Sequence, residues 1–159
     1  MMPARRSLDP ASLIAILIAL CLPHAHADKA PMTQEKLQDL ILDIATDVVI
    51  SGNSIQFDVD GTRLICVSDE NADRMRIVAP IMSLAETESE QIMLAMAANF
   101  HSVLDARYAI GSGIVYAAYL HPLSSLTAEE LDAAITQVAV AQQTFGTDYS
   151  SGVLVFPGF

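Results

Sequence analysis

Along residues 33–48, Leu37, Leu40, Ile41, Ile44 and Val48 recur at three- and four-residue intervals, the spacing of one helix face. Thr33 precedes them as an N-cap, and Ser51-Gly52-Asn53 breaks the predicted helix. The pattern then changes to alternation. Ile55, Phe57 and Val59 face one way, Gln56 and Asp58 the other, and Asp60-Gly61 is a two-residue hairpin turn. Arg63 to Val67 returns as a second strand. Arg74 to Ala79 forms a third, ended by Pro80, which completes an antiparallel meander.

Ser83-Leu84-Ala85-Glu86 and Thr87-Glu88-Ser89-Glu90 both fit a capping box, and Thr87 is the better start for the next helix. Its apolar side is read as Ile92, Met96, Phe100 and Val103, with Met93, Ala97 and Leu104 beside them, and the methionines as gap-filling core. Gly111-Ser112-Gly113 turns a second hairpin. Its outgoing strand, Ile114 to Leu120, has no polar face, so both faces need cover. A second copy of the chain is one candidate for that cover, with Tyr116 and Tyr119 as contact residues. Thr127 and Glu130 box the last helix, which turns Leu131, Ala134, Ile135, Val138, Ala141 and Phe145 inward and stops at Gly146. The expected fold class is therefore α+β: helix, three-strand meander, helix, two-strand hairpin, helix. The apolar run Val153 to Phe156 adds an edge strand, returns to the core or binds a ligand.

The N-terminal residues change the picture of where this domain works. Arg5 and Arg6, an apolar run of 12 residues from Ala11 to Leu22, and Ala25-His26-Ala27 follow the order of a secretory signal peptide. The run is shorter than the roughly 20 residues of a bilayer span. A twin-arginine signal lacks its strong context in RRSLDP, and a lipoprotein signal at Cys21 meets Leu20 where a small residue belongs. Residues 1–27 are expected to be cleaved after Ala27, leaving residues 28–159 as a single periplasmic or secreted domain without a stable membrane anchor.

Charge narrows the partners. The chain carries 8 Lys and Arg against 19 Asp and Glu, a formal net charge of −11. Loss of Arg5, Arg6 and Asp9 makes it one unit more negative. Nucleic acid and anionic lipid surfaces repel such a chain. Glu35, Asp39, Asp43 and Asp47 recur every fourth residue, a solvated stripe or a docking face for a basic partner.

Candidate chemistry is sparse. In SDENADRMRIV, Asp69, Asn71 and Asp73 alternate like the first ligands of a calcium loop. Arg74 stands where that loop needs glycine and Pro80 where it needs glutamate, so the stretch reads as a polar turn. His101 and Asp105 share a helix face and His121 ends a strand, the only material for a small metal-binding protein or hydrolase. Cys66 is alone once the signal is removed, and reads as a small apolar strand residue. No nucleophile elbow, P-loop or dinucleotide fingerprint is present. No enzyme activity, cofactor or metal is expected.

Three passages carry a family resemblance: DVDGTRLICVSDENADRMRIV, MLAMAANFHSVLDARYAIGSGIVYAAYL and LTAEELDAAITQVAV. With the order of elements, they make the chain from about Thr33 to Phe145 resemble the YbjN family, whose fold is akin to type III secretion chaperones. Asn99 falls at a family-typical asparagine, and its side chain is expected to bond nearby backbone. The resemblance implies an α+β sandwich, often paired, used for protein binding or regulation without catalytic residues. Family members are cytoplasmic, from which the signal peptide departs. The expected role is a chaperone-like or regulatory module that holds an unidentified protein client on its sheet or grooves.

Overall fold

Two left-handed turns order the central sheet. Asp60 and Gly61 hold φ of 48° and 76°, and Ser112 and Gly113 hold 49° and 77°, so each pair closes a tight hairpin. The computed structural model describes residues 30–152. The expected signal peptide and the Val153–Phe156 run lie outside the described residues.

The elements are α1 (Gln34–Ile44), β1 (Thr46–Ser51), β2 (Ser54–Val59), β3 (Thr62–Asp69), β4 (Arg74–Ser83), α2 (Ser89–His101), β5 (Arg107–Gly111), β6 (Ile114–His121) and α3 (Ala128–Thr144). The six strands form one antiparallel sheet in the order β1-β2-β3-β4-β6-β5. The α+β class is as expected, with one strand more. Leu37 and Ile41 of α1, Ala95 and Ala98 of α2, and Leu131, Ile135 and Val138 of α3 share one core with Phe57, Leu64 and Ile77 of the sheet. All three helices therefore cover the same face. Each fully buried Leu, Ile or Phe there contributes about 1.5–3 kcal/mol.

The first helix is shorter than its periodicity predicts. It ends at Ile44, Ala45 turns extended while its N–H still reaches Ile41 O at 3.0 Å, and Thr46 begins the extra strand. Val48-Val49-Ile50 is a β-branched run that packs better on a pleated sheet than on a helix. Asp47 takes φ 50° at a bulge where the register slips between Thr46 and Val49. The acidic stripe is thus confined to Glu35, Asp39 and Asp43 on α1, and Asp47 stands on an edge strand instead.

Two further boundaries move. β4 continues through Pro80, where its register with β6 shifts and β3 offers no partner, a position that tolerates a missing N–H. Thr87 does not cap α2. Its hydroxyl donates to Ser83 O at 2.8 Å, and α2 starts one residue later, with Gln91 Oε1 accepting from Glu88 N–H at 3.0 Å. The Thr127 box is as expected: Thr127 Oγ1 accepts from Glu130 N–H at 3.2 Å and Glu130 Oε2 from Thr127 N–H at 2.8 Å.

Candidate functional site

Helix α2 meets the sheet through its smallest side chains. Ala95 and Ala98 are its buried residues, which brings the helix close and turns the large apolar residues outward. Met93, Met96 and Phe100 are 69%, 62% and 74% exposed. The expectation that these methionines fill the core is overturned. Leu94 and, on the neighbouring strand, Ile110 are exposed as well. Between α2 and the hairpin runs a groove of about 90 Å³ lined by Ile92, Met96, Tyr108, Ile110 and Val115. Exposed methionines suit a surface that adapts to varied apolar side chains.

The far wall of this groove is held from several directions. Asn99 bonds both backbone groups of Tyr108, at the head of β5. Gln137 Oε1 of α3 accepts from the N–H groups of Asp105 and Ala106 at 2.8 and 3.1 Å. Ser151 Oγ accepts from Leu104 N–H at 2.7 Å, and the Tyr108 hydroxyl donates to Ala141 O at 2.9 Å. Tyr108, Phe145 and Tyr149 close the floor with edge-to-face contacts of 5.3–5.9 Å.

The face of the sheet away from the helices is uncovered among the described residues. Its rows follow the strand register. Val67, Arg76 and Leu120 stand side by side on β3, β4 and β6; Ile65, Val78, Ala118 and Arg107 form the next row, and Pro80, Tyr116 and Ala109 the next. Tyr116 therefore lies half-buried on this open face. Tyr119 has the opposite parity: it is 8% exposed, on the helix side, stacked on His121 at 6.2 Å. Burial, with Asp105 and Glu130 adding negative charge, raises the Tyr119 hydroxyl above its usual pKa. The two tyrosines cannot serve one contact surface.

The carboxylates of the loop that resembles a calcium site are taken up by hydrogen bonds within the loop and from Gln34 and Ser124. Asp69 Oδ1 accepts from Asn71 and Ala72 N–H at 2.9 and 3.1 Å. Glu70 Oε1 accepts from Gln34 N–H at 2.8 Å, and Asp73 takes both the N–H and hydroxyl of Ser124 at 2.7 and 3.0 Å. The Ser124 N–H and hydroxyl hold the Asp73 carboxyl below its usual pKa. His101 sits exposed at the end of α2 against Phe100, while His121 Nδ1 lies 2.8 Å from Pro122 O. Among the described residues no three of His, Cys, Asp and Glu are grouped to hold a metal, so His101, Asp105 and His121 make no such centre. Cys66 is buried in the core, which pushes its thiol up to about 12 and leaves no thiolate for chemistry near neutral pH.

What the sequence pattern missed is the outward strip of α2. Its signal was present in Ala95 and Ala98, small residues at the three-residue spacing of a close helix contact. No family model matches the chain, and no curated protein matches it. Solved structures do. A chain of the HopA1–SchA chaperone–effector complex aligns with TM-score 0.54 and 12% identity, over 69% of this chain and 88% of that one. The Yersinia pestis type III secretion chaperone SycH, solved with a stable fragment of YscM2, aligns with TM-score 0.55 and 12% identity, over 72% and 100%. The chain has the fold of type III secretion chaperones.

Proposed function

We propose that this protein is a non-enzymatic, chaperone-like module that holds an apolar segment of a client protein in the groove between α2 and β5. The observation that carries it is the exposed strip of Met93, Met96 and Phe100 beside that groove, on a helix whose opposite side completes the core. The fold supports the reading, since the two neighbours are described with an effector and with a bound fragment. Strand addition on β5 is a minor part of the grip, because Asn99 already fills the outward backbone groups of Tyr108. Side chains entering the groove do the holding.

Membership of the YbjN family and export to the periplasm are the finer parts of this proposal. They rest on the three quoted passages and on the residue order of the signal peptide. On cell fractionation the protein should be recovered from the periplasm with an N-terminus at Asp28; recovery only in the cytoplasmic fraction, starting at Met1, would retire the export reading.

The test is suppression of aggregation. Reduced, unfolding lysozyme scatters light, and the mature protein is expected to delay that scattering. Met96→Glu with Phe100→Glu should abolish the delay while leaving the urea midpoint in place. Suppression undiminished in this double variant would remove α2 as the client site.

A further inference from the structure

The open face of the sheet has a charge character opposite to that of the rest of the molecule. Among the described residues five side chains are Lys or Arg, and four of them, Arg63, Arg74, Arg76 and Arg107, stand on this face. One of them, Arg63, is paired with a carboxylate there, and Arg74 donates to the Asp73 carbonyl at 2.9 Å. Asp58 binds Arg63 through contacts of 2.6 and 2.9 Å, and Asp69 lies opposite Arg74 in the register. Arg107 turns back to the carbonyls of Leu104 and Ala106. The Arg76 side chain has no hydrogen bond or ion pair among the described residues. It is exposed between Val67 and Leu120, themselves exposed, beside a depression of about 360 Å³ that these three line with Asp69 and Arg74.

Solubility does not call for an unpaired guanidinium between two exposed apolar side chains; a carboxylate or a serine would serve it better. We infer that the open face binds a segment of a partner protein in which carboxylates alternate with apolar side chains. One carboxylate meets Arg76, and the apolar side chains cover Val67, Leu120, Val78 and Tyr116. A guanidinium takes a carboxylate through two parallel hydrogen bonds, and flanking apolar groups exclude the water that would weaken them. A basic segment would leave Arg76 without a partner. A second copy stacked face to face about a two-fold axis would bring arginine against arginine. This partner presupposes the protein-binding role proposed above but uses other residues than the α2 groove.

The probe is a short fluorescein-labelled peptide of alternating leucine and glutamate, with a leucine–glutamine peptide as its neutral counterpart. Each is titrated into the mature protein and followed by anisotropy. The glutamate peptide should bind at least about tenfold tighter than the glutamine one, and Arg76→Glu should weaken it by at least about tenfold, Arg76→Gln by less. Met96→Glu with Phe100→Glu should leave its binding unchanged. Equal affinity for both peptides, or an Arg76→Glu protein that binds like the parent, would overturn the assignment. So would a homodimer that Arg76→Glu converts to monomer, or binding confined to phosphatidylglycerol vesicles. Failure here with intact aggregation suppression removes only the sheet-face partner; the reverse result removes only the α2 groove.

Discussion

The side-chain amide of Asn99 closes both backbone groups of Tyr108, accepting from its N–H at 2.7 Å and donating to its carbonyl at 3.1 Å. One residue of α2 thus stands in for a neighbouring strand at the start of β5. Asn99→Leu would leave a donor and an acceptor unpaired on a buried residue, at a cost of about 1–3 kcal/mol. Asn99→Asp keeps the acceptor and should cost less. Urea denaturation orders the three proteins, and an unmoved midpoint for the leucine variant would show that the bridge contributes nothing.

Ser68 is the counterexample. Its side chain is buried on the helix face of β3, and its hydroxyl has no hydrogen-bond partner among the described residues. Ser68→Ala removes the desolvation cost of that hydroxyl without opening a cavity, so stability should rise by up to about 1 kcal/mol. A fall of that size would mean that the hydroxyl is satisfied, by an ordered water for instance.

Stability against pH should form a plateau with two defined edges. Asp73 is depressed below its ordinary 3.8 by Ser124, so its contribution is present above about that pH and fades as acid protonates it. Asp73→Asn should flatten this limb. Cys66 is raised from 9.0 to about 12, so its contribution is complete below 9.0 and is lost as pH climbs toward 12. Tyr108 and Tyr119 are raised too and steepen the same limb. Urea midpoints taken across pH read both edges. The native thiol should ignore Ellman's reagent at neutral pH and react fully in urea.

Apolar residues of like size should differ sharply in what they do for the fold. Ile77 is fully buried, and Ile77→Ala should cost about 2–5 kcal/mol. Phe100→Ala and Met93→Ala, on the outer side of α2, should stay within about 0.5 kcal/mol of the parent. Thermal melts separate the two sets. A large loss at Phe100 would mean that the α2 strip is core in solution, covered by a partner or a second copy.

The turns were the most legible part of the fold. Asp60-Gly61 and Thr127 with Glu130 announce their conformations through local chemistry that no distant contact has to supply. The missed strand β1 shows the opposite case. Val48 continues the helical spacing of Leu37 and Ile41, and the chain leaves α1 at Ala45 without glycine or proline. Only pairing with β2 decides the matter. The α2 strip was misread for a related reason: periodicity marks an apolar helix side by size, whereas the sheet chose the alanines because they permit closer approach. The cross-strand pairing of Arg76 with Leu120 joins residues more than 40 positions apart, which no local pattern encodes.

Asp47 gives the β1 bulge a further consequence. A sheet that ends in Val49 and Ile50 would otherwise template the addition of like strands, the first step toward a fibril. With a left-handed aspartate interrupting that rim, and Asn99 stoppering the start of the opposite one, each border offers only a short ladder on which copies can stack. A protein that displays so much apolar surface is thereby less prone to polymerise through its own sheet.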